Sequence, residues 1–198
     1  MKVKYIVLAV LAMFSFSGCD EEYAKVPLSV PVDFSKKDTV YETDFQAPWN
    51  IWGSLVRFDL VIRYERDIKY TDEQRSILHA VFKGMKNNIP IPKEENKYFK
   101  LKVTLTPLGL ASDDMTVWSG ASRLPEMTKK EFKDGEKIEF VASIPLYGGD
   151  NGTYAKTIMV ADLQRLQNYH IRVESLEDVE LPKELILEFR IRKHSRKV

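Results

Sequence analysis

Alternation of apolar and polar residues over most of the chain predicts β-strands with one buried face. In the longest alternating run, 55–64, residues such as Phe58 and Leu60 lie on one side, and Arg57 and Asp59 lie on the other. A shift of one residue would bury the charged side, so the register of this strand is well specified. Shorter alternating runs lie at 30–34, 39–45, 99–106, 138–146, 169–174 and 185–191, and 154–160 is predicted as a further strand because it follows the turn at 148–152. Strands of this length and spacing predict a mainly β, antiparallel fold.

One segment, 72–85, has helical spacing instead. Thr71 and Gln74 are spaced as in a capping box, and the apolar residues that follow form a single stripe around Val81. Pro90 cannot continue the helix, because proline lacks the backbone donor and clashes with the preceding turn. The sequence therefore predicts one helix, which is expected to cover an edge or an open end of the sheets.

The order of these elements predicts an immunoglobulin-like antiparallel β-sandwich with one inserted α-helix. Tyr169 begins a late strand after a corner that contains Leu166, and this arrangement resembles the tyrosine corner of immunoglobulin-like domains. The region 108–130 has the least regular pattern, and 128–132 is predicted to form one short helical turn.

Residues 1–19 follow a different pattern, in which a short basic start precedes an apolar run at 5–16. The run is too short to span a bilayer, which needs about 20 apolar residues, and it has the length of a signal-peptide core. The sequence Phe-Ser-Gly-Cys at 16–19 resembles a bacterial lipobox, in which the chain is cut after Gly18 and Cys19 is lipidated on its sulfur. The alternative is an ordinary secretory signal followed by an incidental cysteine.

This pattern predicts three segments: a signal peptide at 1–18, a lipidated tether at 19–27 and a single β-sandwich domain at 28–198. Acyl chains on Cys19 would anchor the mature chain to the lipid bilayer of a bacterial envelope, with the domain facing the periplasm. Asp20 resembles the residue that retains some lipoproteins in the inner membrane. The alternative is that Asp20 is simply the first residue of an acidic tether.

Composition and charge narrow the classes of partner. The chain has 198 residues and a formal net charge of +1, which falls to −1 when Lys2 and Lys4 are removed with the signal. Nucleic-acid-binding surfaces need a basic field, so this balance argues against nucleic acid as a partner. The chain has 1 cysteine, which is assigned to the anchor. The mature domain is therefore expected to have no disulfide, although the compartment permits one.

Together with the lipobox, several strand motifs resemble a known family. They are Val30-Pro31-Val32-Asp33-Phe34, Thr43-Asp44-Phe45, the run 55–64 and the segment 168–176. This combination resembles the uncharacterised bacterial lipoproteins catalogued as domain of unknown function family 5625. The resemblance covers 28–193 and implies an envelope lipoprotein, but it brings no active-site residue with it.

Residues with catalytic or metal-binding chemistry are present without a recognised motif. The 3 histidines, His79, His170 and His194, have no second histidine or cysteine at ligand spacing, so no metal site and no cofactor is predicted. Two further pairs of polar residues are candidates: Ser119 and Ser122 as nucleophiles, and Asp150 and Asn151 as calcium ligands. For each of them, an ordinary loop or turn residue is the favoured interpretation.

Three tryptophans, Trp49, Trp52 and Trp118, form the predicted contact surface. Tryptophan is enriched in the hot spots of binding interfaces. For any single tryptophan, packing at the end of the core or at the membrane interface is the favoured alternative. The basic residues near the C-terminus are Arg190, Arg192, Lys193, Arg196 and Lys197. They are interpreted as a solvated strand face and a frayed tail, with attraction to anionic lipid headgroups as the alternative.

The sequence leaves the activity open between classes. The favoured hypothesis is a non-enzymatic envelope lipoprotein that binds another envelope protein, as an immunity protein or as an accessory subunit. One alternative is an envelope hydrolase that acts on glycan or lipid, which needs a cleft with clustered reactive groups. Another is a carrier that holds a small apolar ligand between the sheets.

Overall fold

A computed structural model describes residues 23–49, 55–64, 69–86, 89–109, 115–119, 128–132, 136–148, 155–183 and 185–193. The strands are β1 (Leu28–Pro31), β2 (Val40–Gln46), β3 (Leu55–Tyr64), β4 (Met85–Lys86), β5 (Ile89–Pro90), β6 (Tyr98–Leu108), β7 (Met115–Ser119), β8 (Thr128–Phe132), β9 (Ile138–Pro145), β10 (Ala155–Asp162), β11 (Asn168–Ser175) and β12 (Leu185–Lys193). Helix α1 spans Asp72–Lys83, and a short 3-10 helix spans Lys93–Glu95. The prediction of a mainly β chain with one α-helix is confirmed for these residues.

The described strands form antiparallel sheets. One sheet has six strands in the order β1-β12-β3-β10-β7-β8, another has four in the order β2-β11-β6-β9, and β4 and β5 form a small pair. In the two larger sheets β1 pairs with β12, β2 with β11, β3 with β10, and β6 with β9. The first strand therefore meets the last, and the pairing continues inward to β6 and β9. Apart from the β4–β5 and β7–β8 pairs, the described strands have the connectivity of an antiparallel ribbon folded over on itself.

The immunoglobulin-like connectivity that the sequence predicted is not confirmed. In immunoglobulin domains the first two strands are neighbours in one sheet. Here β1 lies in the six-stranded sheet and β2 in the four-stranded sheet, and the neighbour of β1 is β12, from the far end of the chain. Alternation specifies which face of a strand is buried, but it does not specify the partner strand. The sequence therefore predicted the strands and not their order.

The inner faces of the two larger sheets share one core. The Phe45 ring on β2 contacts the Phe58 ring on β3 edge-on, with a centroid separation of 5.7 Å. The Tyr41 ring on β2 contacts the Phe189 ring on β12 at 5.2 Å. Both pairs belong to one hydrophobic cluster. The residues that the sequence placed on the buried sides of strands thus meet between the sheets, and their removal from water is the main stabilising term.

The predicted tyrosine corner has the expected hydrogen bond. Tyr169 is buried, and its hydroxyl accepts a 3.0 Å hydrogen bond from the backbone N–H of Gln164, five residues upstream. In the same turn, the Leu166 N–H donates to the Ala47 carbonyl at 3.1 Å, and the Ala47 N–H donates to the Gln167 carbonyl at 2.9 Å. These bonds hold the turn before β11 against the chain that leaves β2.

Helix α1 begins with the predicted capping box and is followed by a glycine. The Thr71 N–H donates to Gln74 Oε1 at 2.8 Å, and the Gln74 N–H donates to Thr71 Oγ1 at 3.3 Å. Gly84 has a φ of 65°, the left-handed conformation that glycine adopts without a steric penalty. The helix therefore starts where the sequence predicted and ends two residues earlier.

Helix α1 packs at one end of the sheets. The Val81 carbonyl accepts a 3.1 Å hydrogen bond from the N–H of Gly148, which lies beyond the end of β9. The Phe82 ring lies 5.3 Å from the ring of Tyr64, the last residue of β3. Of the two predicted positions, an edge or an open end, these contacts favour the end.

The prediction of a helical turn at 128–132 is wrong. This segment forms β8, which pairs with β7 along its whole length. β7 lies in the region that the sequence left without a regular pattern, and it pairs in turn with β10. A segment this short has too few positions to distinguish a strand from a helical turn by periodicity, so its pairing partner decides the outcome.

The described chain begins beside β2. Ala24 forms a parallel bridge with Phe45, and its N–H donates to the Asp44 carbonyl at 3.1 Å. The tether predicted at 19–27 is thus bonded to the sheet by residue 24. Gly18 and Cys19 lie outside the described residues. No helix in the described part of the chain has the length and hydropathy needed to cross a membrane.

Candidate functional site

The structure places the tryptophans of the predicted contact surface in separate positions. Trp49 follows β2 and is 58% exposed. Trp118 lies in β7, opposite Val160 of β10, and is half-buried. Trp49 contacts Lys193 of β12, and β3 and β10 lie between β12 and β7. Trp52 lies outside the described residues, so its part in a shared surface stays a prediction.

The surface formed by Trp49, Arg165, Leu166 and Lys193, which we call the Trp49 end, combines apolar and cationic groups. The Arg165 guanidinium lies over the Trp49 ring, 5.7 Å from its centroid. Lys193 Nζ donates to the Trp49 carbonyl at 3.2 Å. Leu166 is 50% exposed and has a φ of 59°. The left-handed backbone conformation is sterically disfavoured for leucine. Because Leu166 adopts it and is also exposed, its side chain suggests a role outside the core.

A second surface lies on the outer side of the six-stranded sheet. Residues directly opposite each other in antiparallel strands share a face. This pairing places Arg192, Arg57, Val160 and Trp118 in one row across β12, β3, β10 and β7. We call the surface around this row and Asp59 the arginine face.

Asp59 organises the arginine face. Its side chain is 0% exposed, although its neighbours in β3 point into the core and Asp59 points away from it. Asp59 Oδ1 accepts a hydrogen bond from Arg57 Nε at 2.5 Å, and Oδ2 accepts one from Arg192 Nε at 2.8 Å. Arg57 and Arg192 lie directly opposite each other, where like charges repel, and the shared carboxylate offsets this repulsion. The two arginine side chains remain 23% and 39% exposed.

Glu188 forms a second ionic centre on the same face. Its carboxylate lies 3.1 Å from Arg63 and 3.6 Å from Arg190, and it accepts a 2.8 Å hydrogen bond from Ser29 Oγ. With the Asp59 cluster, the network contains four arginines and two carboxylates, an excess of two positive charges. Arginine and tryptophan are both enriched in interface hot spots, and Trp118 lies in the same row as Arg57, with Val160 between them.

Apolar and hydroxyl groups on the arginine face are also shielded from water. Val61 and Val160 are 3% and 4% exposed, and neither belongs to the hydrophobic cluster between the sheets. Thr157, opposite Asp59, is 8% exposed. This side of the sheet is therefore a packed layer, and such a layer restricts the guanidinium groups to defined positions.

The sequence predicted part of the arginine face. It placed Arg57 and Asp59 on the outer side of their strand, as observed, but it did not indicate that Asp59 is buried. Arg190 and Arg192 lie on the outer side of β12, as the sequence predicted, and they carry ion pairs there. Arg196 and Lys197 lie outside the described residues. The signal was Arg-x-Asp at 57–59 facing Arg-x-Arg at 190–192, which is readable only when the pairing of β3 with β12 is known.

The outer face of the four-stranded sheet is polar and solvated. His170 Nδ1 lies 2.6 Å from Asp44 Oδ1, and the His170 side chain is 34% exposed. Arg172 contacts Glu42 at 3.2 Å and Glu174 at 3.1 Å. The hydrogen bond that Arg172 donates to Glu174, more than the one that it donates to Glu42, raises the pKa of Arg172. The pairs are ordered, but water competes with each of them.

The predicted reactive residues that the structure describes are not assembled into one site. His170 lies in the four-stranded sheet and Ser119 in the six-stranded sheet, so Ser119 does not complete the His170–Asp44 pair. His79 is exposed on α1. Within the described residues, no three His, Cys, Asp or Glu side chains lie close enough together to hold a metal ion. The remaining candidates, which lie outside the described residues, are His194, Ser122, Asp150 and Asn151.

A small groove lies between α1 and the β4–β5 pair. It has a volume of about 200 Å³ and is lined by residues that include Ile77, Lys86, Ile91 and Tyr147. Sites for small molecules are larger, about 300–1,000 Å³. The space between the two large sheets is occupied by the side chains of the hydrophobic cluster. The carrier hypothesis therefore gains no support from the groove or from the described interior.

Comparisons with known proteins do not identify a family. No family model matches the chain, and no curated protein matches it. A crystal structure of a protein from Sulfurospirillum deleyianum matches this chain with 13% sequence identity and a TM-score of 0.46. The match covers 87% of this chain and 100% of the other chain. The decameric BFDV capsid protein has 10% identity and a TM-score of 0.29, and it covers 84% of this chain and 99% of its own. Neither similarity supports a functional argument, and the resemblance to family 5625 stays a prediction.

Proposed function

We propose that this chain is an envelope lipoprotein, anchored by acyl chains on Cys19, and that its domain binds an acidic surface of another envelope protein through the arginine face. The anchor rests on the lipobox pattern at 16–19. The binding activity rests on one observation, the buried Asp59 that holds two partly exposed arginines in one row with Trp118. A role as an immunity protein or as an accessory subunit fits this activity.

The domain that carries this face is, in our proposal, a β-sandwich of the jelly-roll type. Jelly rolls stack two antiparallel sheets built from eight strands in two Greek keys. The orders β1-β12-β3-β10 and β2-β11-β6-β9, with first-to-last pairing, support this assignment over the immunoglobulin-like one. Because jelly rolls serve many unrelated functions, the fold itself does not argue for binding or for catalysis.

The chemistry of the arginine face suits carboxylates on a partner. A guanidinium has five donors in a planar fork that matches a carboxylate. Arg57 and Arg192 each direct Nε at Asp59, which leaves their terminal nitrogens for other contacts. Since Asp59 already fixes both side chains, binding a partner costs less side-chain entropy than it would with free arginines. Trp118 adds an apolar anchor beside them.

Crosslinked pull-down of the full-length lipoprotein from detergent-solubilised membranes tests this proposal. The variants are Arg192→Gln and Trp118→Ala, and the matched control is Arg172→Gln. Arg172 is the equivalent ion-paired arginine on the other sheet and has a similar exposure, 41% against 39% for Arg192. We expect one stoichiometric partner with the wild-type protein and with Arg172→Gln, and its loss with the two arginine-face variants.

Circular dichroism and thermal melting of each purified variant separate loss of binding from loss of fold. Elution of the partner by moderate salt is expected, because contacts between exposed charges are screened. A partner retained equally by folded Arg192→Gln and Trp118→Ala proteins would rule out the arginine face as the binding surface. Absence of any crosslinked partner would count against a binding function.

A further inference from the structure

We propose that the Trp49 end rests on the surface of an anionic lipid bilayer and sets the orientation of the domain on the membrane. This inference rests on the proposed lipidation of Cys19. It adds a second, non-covalent contact with the membrane and identifies the residues that make it. The Trp49 end adjoins the arginine face, because Lys193 directly follows Arg192 in β12.

The length of the tether brings the bilayer close to this end. The described chain begins at Tyr23, and Ala24 is bonded to β2 at Asp44 and Phe45. Cys19 precedes Ala24 by five residues. Five fully extended residues span at most about 18 Å. Once Cys19 is acylated, Ala24, and with it the edge of the sheet at β2, stays within about this distance of the headgroups.

The direction of β2 selects which end of the domain faces the membrane. β2 ends at Gln46, and Trp49 follows three residues later. The point where the tether joins the domain, beside Asp44 and Phe45, is therefore at the end of the strand that leads to Trp49. Helix α1 lies at the other end, against Tyr64. A short tether at this position favours contact of the Trp49 end with the bilayer over contact of the helical end.

The side chains of the Trp49 end match the chemistry of the membrane interface. Tryptophan is enriched at the level of the headgroups, where its ring is neither fully in water nor fully in hydrocarbon. Trp49 and Leu166 expose 58% and 50% of their surfaces. Arg165 and Lys193 flank Trp49 and carry the charge that anionic lipids attract.

The conformation of Leu166 provides an independent argument. Its φ of 59° suits glycine or asparagine, and its side chain is half exposed, so neither backbone preference nor packing of the core explains a leucine there. An apolar side chain at the tip of this turn is explained if it enters the headgroup layer. Replacement of Leu166 by asparagine should then leave the stability of the domain unchanged or raise it, while weakening contact with the membrane.

Quenching of tryptophan fluorescence by lipids with brominated acyl chains tests the proposal. The mature lipoprotein, purified from membranes, is reconstituted into vesicles of phosphatidylcholine alone or mixed with phosphatidylglycerol. Trp52→Phe/Trp118→Phe leaves Trp49 as the reporter, and Trp49→Phe/Trp52→Phe leaves Trp118 as the matched control. We expect brominated chains to quench most of the Trp49 emission in the anionic vesicles and to quench the Trp118 emission less, because Trp118 is half-buried and β7 lies three strands away from β12.

Further variants test the residues that make the contact. Two variants are made in the background with Trp49 as the reporter: Arg165→Glu/Lys193→Glu and Leu166→Asn. Both should lose most of the quenching and retain the wild-type melting temperature. Quenching of Trp49 no greater than that of Trp118, in vesicles that carry the acylated protein, would overturn the docking and leave the anchor intact. Mass spectrometry that finds no acyl chains on Cys19 would overturn the anchor and the docking together.

Discussion

The outer faces of the two large sheets contain the same types of charged residue in inverted arrangements. On the six-stranded sheet, one carboxylate, Asp59, lies between Arg57 and Arg192 and is 0% exposed. On the four-stranded sheet, one arginine, Arg172, lies between Glu42 and Glu174 and is 41% exposed. The first arrangement is part of a packed layer, and the second is surrounded by water.

This difference determines what each cluster contributes. Exposed ion pairs add little stability, because water and salt compete with them. A buried charge has lost its hydration and depends on its ion-pair partners. Removal of the partners, or of the buried charge itself, therefore lowers the stability of the fold strongly. The arginine face is therefore expected to respond strongly to substitution, and the four-stranded face weakly. The predictions below test this contrast, in order of decreasing effect.

Removal of the buried carboxylate is expected to have the largest effect. Asp59→Ala leaves Arg57 and Arg192 opposite each other without the shared acceptor, and should lower the free energy of unfolding by about 3 kcal/mol. Glu42→Ala on the four-stranded sheet should change it far less. Urea unfolding followed by circular dichroism measures both. Equal losses for the two variants would show that the arginine face is not a packed layer.

Truncation of an outward-facing valine tests the packing of the same layer without a change in charge. Val160 is 4% exposed on the arginine face, and Val141 is 55% exposed on the four-stranded sheet. Val160→Ala removes two buried carbon atoms and should cost about 1.5 kcal/mol of stability. Val141→Ala should stay within about 0.5 kcal/mol of the wild type. A Val160→Ala protein as stable as Val141→Ala would contradict the low exposure of this face.

Double-mutant cycles compare the ion pairs directly. The cycle of Arg192→Gln with Asp59→Asn should give a coupling energy of about 1 kcal/mol that is largely retained in high salt. The cycle of Arg172→Gln with Glu174→Gln should give a smaller coupling that high salt removes. The same denaturation experiment, run at low and high salt, measures both cycles. A salt-sensitive coupling at Asp59 would place that pair in water.

The smallest effect on stability is expected for the exposed pair of Lys102 and Glu139, whose contribution depends on pH. The hydrogen bond from Lys102, helped by the charge of Lys137, lowers the pKa of Glu139 below its ordinary value of 4.5. A carboxylate with a lowered folded-state pKa stabilises the fold above its unfolded-state pKa, and this contribution is lost as the pH falls through the folded-state value. Lys102→Met should therefore be slightly less stable than the wild type at neutral pH, and the difference should vanish in acid below 4.5. A difference that grows with acidity would reverse the assigned sign.

The sequence predicted most of the long strands, because alternation of apolar and polar residues can be read without knowledge of the fold, but it did not predict β4, β5, β7 or β8. Thr71, Gln74 and Tyr169 were also assigned correctly, since a capping box and a tyrosine corner each depend on residues close together in sequence. The strand order could not be predicted, because β1 finds its partner at the other end of the chain. The segment 128–132 was assigned to the wrong element for the same reason, since its pairing with β7 decides its conformation.

The candidate surfaces were predicted only in part. Trp49 was identified from its residue type, but Arg165 and Leu166, which complete the Trp49 end, are distant in sequence and reach it through the turn before β11. Asp59 looked like an ordinary outward residue of an alternating strand. Its burial depends on Arg192, a residue far along the chain that only the β3–β12 pairing brings opposite Arg57.

Site-specific photocrosslinking in living cells tests the central claim most directly. A photoreactive phenylalanine analogue replaces Trp118 on the arginine face or Val141 on the four-stranded sheet, in the otherwise native lipoprotein. If the partner binds the arginine face, position 118 gives a discrete protein adduct and position 141 gives none. An adduct from position 141 with none from position 118 would place the partner on the solvated face and contradict binding at the arginine face.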